Sequence, residues 1–473
     1  MSRVLMVSSE AAPYAKTGGL ADVVGSLPPA LGACGDEIAV VIPRYGSIDL
    51  KGLRRVYDNL PVFFGPARYD TSVFLAPEEY PLYLVDCPSL YSRDGFYGAG
   101  GKDYPDNDIR FAVLARAALG VARVLFRTDV LHCHDWQAGL IPAYLRGMFA
   151  CDPTFLGVRT LFTIHNLGYQ GVFPKNVLSK AALDSALDRP DAMEFFGKIS
   201  YIKGGIMLAD ALSTVSPTYA HEIQTPEFGF GLDGALRARS GVLTGILNGV
   251  DYREWNPKTD PFIPARYSEQ NLAGKRECKQ NLLREFGLPE IAMDRPLLGI
   301  VSRFTQQKGI DLIGEVADDL VAEDLYLVAL GTGEPEEEAL VRQMVERHPQ
   351  RIAAHIGFDN ALAHRVEAGA DIFLMPSRYE PSGLNQMYSL KYGTIPVVHA
   401  VGGLNDTIDE GTGFKFSEPS GQALLAAVRE AGRAFSRPEV WRTLMLRGMA
   451  KDFSWSRSAG AYSALYRQLV GQR

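Results

Sequence analysis

Two near-identical loops constrain the fold more than any other feature: Gly18-Gly19-Leu20-Ala21-Asp22 near the start and Gly402-Gly403-Leu404-Asn405-Asp406 near the end. Each follows a short apolar run and opens a helix-like stretch. Paired glycines at a strand-to-helix turn let the backbone approach a ligand closely, and the helix N-terminus beyond them presents unpaired N–H groups with partial positive charge. Two copies predict two α/β domains facing one anionic substrate. Only the first copy carries a cation, in Lys16-Thr17-Gly18-Gly19-Leu20, so the duplicated scaffold reads as a divided site with one specialised half.

The apolar runs agree. Residues 40–43, 82–85, 130–133, 160–164 and 212–215 in the first half, and 297–301, 325–330, 352–356, 372–375 and 395–398 in the second, are continuously apolar, the pattern of parallel strands covered on both faces. A polar, proline-bearing stretch over 248–264 separates the halves and is the expected hinge. From 454 onward a helix carries Ala459, Tyr462, Leu465, Tyr466 and Leu469 on one side, suited to packing back onto the first domain. A length of 473 residues suits two large α/β domains, and 47% hydrophobic residues supply ample core. A net charge of -7 with dispersed cations argues against nucleic acid or an anionic membrane as partner. Residues 3–8 are too short an apolar run for a signal peptide or a membrane span, so a cytoplasmic protein is expected. Cys34, Cys87, Cys133, Cys151 and Cys278 lack CxxC spacing and read as reduced core thiols.

The strongest chemistry lies in the second half. Ser302 to Gly309 leaves a strand and holds Arg303 and Lys308 in one βα loop, at the sheet edge where α/β proteins bind ligands; such a pair suits a diphosphate leaving group. The plainer alternative is a solvated loop. The loop from Pro376 to Leu384 adds Glu380, which precedes Pro381 and is biased out of helical geometry. Amides around Gly383 to Asn385 would receive a phosphate while Glu380 reaches a sugar hydroxyl or developing positive charge. The plainer alternative makes Glu380 a first-turn charge on the helix dipole, worth under about 1 kcal/mol. In His132-Cys133-His134-Asp135, strand alternation puts both histidines on one face and Asp135 opposite, so no metal site is expected. Gly331-Thr332-Gly333-Glu334 lacks the third glycine of a dinucleotide fingerprint, and no cofactor is expected. His221, His348, His364 and His399 receive no role.

Taken together, Lys16 to Leu20, His165-Asn166, Arg303 with Lys308, and Glu380-Pro381-Ser382-Gly383-Leu384 resemble the bacterial glycogen synthase family, the ADP-glucose-dependent glucan synthases. Residues 132–137, 163–171, 228–234 and 247–251 extend the likeness over essentially the whole chain. The resemblance implies an α/β, GT-B fold: two Rossmann-like, doubly wound parallel-sheet domains facing across a cleft. Residues 1–246, joined by a C-terminal helix over 455–473, would hold the acceptor glucan, and 247–454 the sugar nucleotide. It implies transfer of glucose from ADP-glucose to the nonreducing end of an α-1,4-glucan with retention of configuration, by same-face attack in which the departing phosphate helps deprotonate the acceptor.

The same resemblance assigns roles. Arg303, Lys308 and Lys16 would neutralise the pyrophosphate, with Gly18, Gly19 and Asp22 in the first loop and Ser382, Gly383, Leu384 and Asn385 in the second. His165 would meet the transferred glucose near its 6-hydroxyl, Glu380 would orient its hydroxyls, and Asp135 and Asn248 would line the sugar site. Tyr97 is a candidate contact for glucose or acceptor. Three positions depart from the family pattern: Phe358 replaces a frequent adenine-stacking tyrosine, Ser382 a frequent cysteine and Asn385 a frequent threonine. Two alternatives stay open: a related retaining enzyme using UDP-glucose, and a catalytically silent glucan-binding homologue.

Overall fold

Strands without a polar face must be covered on both sides, and in the computed structural model, described over residues 1–471, they are. The chain forms two compact units, one of Met1–Gly249 with the residues from Trp455 on, the other of Val250–Ser454. In the first, β1 (Arg3–Val7), β2 (Glu37–Pro43), β3 (Arg54–Phe64), β4 (Ala67–Ala76), β5 (Leu82–Asp86), β6 (Val130–His134), β7 (Arg159–Ile164), β8 (Ala211–Thr214) and β9 (Leu243–Gly245) make one sheet in the order β9-β8-β7-β6-β1-β2-β5-β4-β3. Strands β9 to β5 in that order pair in parallel, and β4 and β3 add an antiparallel edge. That edge escapes the apolar-run reading because β3 slips register twice against β4 and carries Asn59 at φ 55, which breaks the period of two. Helix α1 (Gly19–Ala33) follows β1, and α2 (Asn107–Val124) is buried along much of its length. The strand order reverses between β1 and β6, so the loops after these strands meet at the carboxyl edge of the sheet.

The second unit repeats the plan with β10 (Leu297–Val301), β11 (Tyr326–Gly331), β12 (Ile352–Ile356), β13 (Ile372–Met375), β14 (Ile395–His399) and β15 (Phe414–Phe416), all parallel in the order β12-β11-β10-β13-β14-β15. Helix α3 (Ile310–Glu315) follows β10, α4 (Asn360–Gly369) β12, α5 (Asn385–Tyr392) β13 and α6 (Gly402–Thr407) β14. The reversal falls between β10 and β13, placing the loops 302–309 and 376–384 side by side. The stretch expected to hold the hinge lies, from Val250 on, within this unit. Trp255 stacks between His364 and Tyr388 with ring centroids 3.8 and 4.0 Å away, and the buried Asp260 carboxylate bonds His364 Nδ1 at 2.8 Å and the Tyr392 hydroxyl at 2.5 Å. Two aromatic faces and a satisfied carboxylate hold it more firmly than its polar composition suggests.

The last helix, α7 (Trp455–Gly471), returns to the first unit; residues 472 and 473 of the expected helix lie outside the described residues. Its buried face of Trp455, Ala459, Tyr462, Tyr466 and Leu469 joins the same core as β1 and β2, and Ser463 donates to Asp36 at 2.5 Å. Among the described residues no helix is long and apolar enough to cross a membrane. Cys87, Cys133 and Cys278 are buried, but Cys34 and Cys151 are exposed, correcting the expectation of five core thiols.

Candidate functional site

The loop after β1 is organised by a residue that the sequence did not single out. Glu10, 3% exposed, accepts the Thr17 N–H at 2.6 Å, the Thr17 hydroxyl at 2.7 Å and the Tyr97 hydroxyl at 2.5 Å. Tyr97 also bonds Ser9 Oγ at 2.7 Å, so its hydroxyl braces this loop. A buried carboxylate with three donors fixes the turn that carries Lys16, Gly18 and Gly19, all exposed. Lys16 Nζ pairs with Asp22 at 2.6 Å, while burial pushes the Asp22 carboxyl up against that cation. Gly18 is extended, with φ -168, and a Cβ there meets nothing within 4 Å; neither the backbone nor the packing of the fold requires glycine here.

Beside that loop, at the ends of β6 and β7, lie His134, Asp135 and His165. Asp135 leaves the strand in a left-handed turn at φ 55 instead of continuing the alternation, and its carboxylate accepts the His165 N–H at 2.7 Å. Burial raises it to about 7 despite that bond and one from the Asn166 amide. His165 Nε2 sits 2.9 Å from His134 Nδ1, and burial lowers the His165 imidazole to about 3. Asn248, 5% exposed, keeps its Oδ1 without a partner among the described residues.

In the second unit the two loops at the reversal are laced together. The Arg378 N–H donates to Gln307 O at 2.8 Å, and its guanidinium grips Asp311 with two bonds of 2.7 and 2.6 Å. Gly309, at φ 70, lies so close to Pro376 that a Cβ would come 2.2 Å from its carbonyl oxygen. This lacing sets Lys308 Nζ 2.5 Å from Glu380 Oε2, which also accepts the Ser377 hydroxyl at 2.9 Å. The cation and the carboxylate, given separate tasks in the sequence reading, are partners here. Arg303 stands exposed on the same loop. The Gly383 and Leu384 amides, before α5, have no protein acceptor among the described residues, and Ser382 Oγ contacts the Gly383 carbonyl at 3.3 Å. Asn385 Nδ2 is committed to the Val301 carbonyl at 2.9 Å, so of its groups only the backbone suits a phosphate.

The second glycine pair works differently from the first. Gly403 N–H donates to the Glu380 and Pro381 carbonyls at 3.1 and 3.2 Å, and Cβ atoms at 402 and 403 would lie 1.9 and 2.0 Å from the Glu380 and Ser382 carbonyl oxygens. Its close approach is to the Glu380 loop, a packing role that the sequence reading of both pairs as facing a substrate did not include. His399 lies under the same loop, with Nδ1 2.8 Å from the Ser377 carbonyl and Nε2 3.1 Å from that of Ser417.

Comparison with known proteins places this geometry. Residues 3–238 match the model of the starch synthase catalytic domain, and 285–434 that of glycosyl transferases group 1. The glycogen synthase of Anaeromyxobacter dehalogenans (strain 2CP-C) is 52% identical over 99% of this chain and all of its own length, and that of Koribacter versatilis (strain Ellin345) 47% identical over 98% of each. The chain belongs to the glycogen synthase family. The catalytic domain of starch synthase IV from Arabidopsis thaliana, solved bound to ADP and acarbose, matches with a TM-score of 0.91 at 32% identity over 99% of both chains. Sucrose-phosphate synthase from Thermosynechococcus elongatus, at 19% identity and a TM-score of 0.57, shares the fold alone. As a glycogen synthase family member the chain is a retaining glycosyltransferase of the GT-B fold. Phe358, expected from the resemblance to meet adenine, follows Gly357 after β12 and is 85% exposed, an uncovered ring. Of the features that organise this family member's loops, Glu10, Ser377 and Arg378 gave no signal in the sequence. Their partners are 7, 3 and 67 residues away, at spacings that mark no motif.

Proposed function

We propose that this glycogen synthase family member transfers glucose from ADP-glucose to the nonreducing end of an α-1,4-glucan. The observation that carries the reading is the Glu380–Lys308 pair beside the unpartnered Gly383 and Leu384 amides, at the strand reversal of the second unit. The arrangement offers a carboxylate for sugar hydroxyls, a cation for the leaving diphosphate and backbone donors for its phosphate oxygens, as separation into an oxocarbenium-like sugar and ADP requires. Arrival of the diphosphate gives Lys308 a second anion and frees Glu380 to orient the glucose. Arg303 adds charge on the same loop. From the first unit, Lys16 and the open backbone at Gly18 and Gly19 are assigned to the donor's anionic part, His165 to the glucose near O6, and Asp135 and Asn248 to the sugar surroundings. Same-face attack by the acceptor, its proton passing to the departing phosphate, needs no protein nucleophile, and none is assigned. The starch synthase IV relative was solved bound to ADP and acarbose, which supports this class of donor and acceptor. The five unpaired thiols suit a reducing compartment, and we place the reaction in the cytoplasm.

The test is glucose incorporation into a glycogen primer from ADP-glucose and UDP-glucose in parallel, with the Glu380→Ala protein as blank. Preference for ADP-glucose is expected. Preference for UDP-glucose overturns the donor assignment and points to Phe358, which keeps a stacking face but lacks the tyrosine hydroxyl. No incorporation from either donor overturns the enzymatic reading.

A further inference from the structure

Three imidazoles, His132 and His134 on β6 and His165 just past β7, lie together, and each is deeply buried. His132 is fixed at both nitrogens, Nδ1 2.8 Å from the Tyr466 hydroxyl on α7 and Nε2 2.6 Å from Thr163 Oγ1. Its ring lies against that of His134, with centroids 4.1 Å apart, so α7 holds His134 in place through His132. His134 Nδ1 then meets His165 Nε2 at 2.9 Å. Burial drives all three imidazoles far below their ordinary range, so at neutral pH each carries one proton. One proton therefore lies between His134 and His165, and its owner decides the tautomer of both.

The remaining nitrogen of His134 settles the choice. Nε2 is buried with no hydrogen-bond partner among the described residues. Were the shared proton on His165, neutral His134 would carry its own on Nε2, as a buried N–H with no acceptor, an arrangement that folded proteins rarely tolerate. With the proton on His134 Nδ1, the orphan is only a lone pair. His165 Nε2 then accepts, and its proton must sit on Nδ1, the ring nitrogen of His165 with no partner among the described residues.

We propose that His134 is a positioning residue: by donating Nδ1–H to His165 Nε2 it fixes His165 as the Nδ1–H tautomer, presenting a hydrogen-bond donor to an oxygen of the transferred sugar. The second half of that statement rests on the reading of His165 as the glucose contact given above. It assigns His165 the part of a neutral donor, which binds a hydroxyl without bringing a charge into the buried site.

The test uses full-length protein labelled with 15N-histidine, whose two-bond 1H–15N correlations report the tautomer of each ring; His165→Gln identifies the His165 signals. His165 is expected in the Nδ1–H form in the unaltered protein and in the Nε2–H form, or a mixture, in His134→Phe, which keeps a ring and loses the donor. An Nε2–H His165 in the unaltered protein, or no change in His134→Phe, overturns the proposal. In kinetics, His134→Phe is expected to lose about tenfold in turnover, one hydrogen bond's worth, with donor KM within about threefold, and His134→Asn, whose amide N–H lies near Nδ1, to recover part of it. Equal losses in both variants overturn the donor role and leave His134 a packing residue. ADP-6-deoxyglucose separates the two readings. A loss in the unaltered protein that shrinks in His134→Phe supports the sugar contact, whereas full activity with the deoxy donor overturns that contact and leaves the tautomer to the spectra.

Discussion

Glu380 already has two partners within the chain, the Lys308 ammonium and the Ser377 hydroxyl, and a carboxylate 6% exposed needs them. Glu380→Ala removes an interaction expected to strengthen in the transition state, so kcat should fall by about a hundredfold or more with donor KM little changed. Near-normal turnover in steady-state assays refutes that role. Lys308→Ala should raise donor KM and lower kcat together. It should also lower the melting temperature, because it strands the Glu380 charge, and the double variant should recover part of that stability. Asp135 gives a pH signature. Its unfolded carboxyl titrates near ~3.9 and the folded one at about 7, so between these values the folded state holds a proton that the unfolded chain has released. Stability therefore falls as pH rises through that window, and Asp135→Asn removes the fall. From pH 5 to pH 8 the variant should gain about 3 kcal/mol on the unaltered protein, read by denaturant unfolding at each pH.

Elements show what the two glycine pairs are for. Gly403→Ala forces a methyl against the Ser382 carbonyl, so the Glu380 loop must move; a loss of about 1–3 kcal/mol and of at least tenfold in turnover is expected. Gly18→Ala meets open space in an extended backbone and should change stability by less than about 0.5 kcal/mol. A large rise in donor KM in that variant would mark ligand backbone approach at the first loop, and unchanged kinetics would remove it from the donor site. The sequence made the likeness of the two pairs plain but could not divide their work, since a glycine needed for a ligand and one needed for a neighbouring carbonyl read alike. The parallel strands were legible because burial on both faces leaves long apolar runs. The β3–β4 edge was not, because register slips erased its period, and neither was Glu10, whose task depends on Tyr97, 87 residues away.

At the scale of the molecule, α7 ties the far end of the chain into its first core. Trp455 is 6% exposed and packs on Gly249, so Trp455→Ala should cost about 3–5 kcal/mol, seen in calorimetry as a lower transition for the first unit. A first-unit transition that stays put would show that α7 anchors elsewhere. The bond from Ser463 to Asp36 spans 427 positions of sequence, and the whole of the second unit lies within that span. On the ribosome, then, the first domain begun is the last finished: its sheet emerges early with the α7 face of its core still bare, while the second unit has all its strands within one continuous segment and closes first. Assembly runs against the order of synthesis, and for the time needed to translate 205 residues, from Val250 to Ser454, the opening half of the protein depends on chaperones or on its own partial core to keep that face covered.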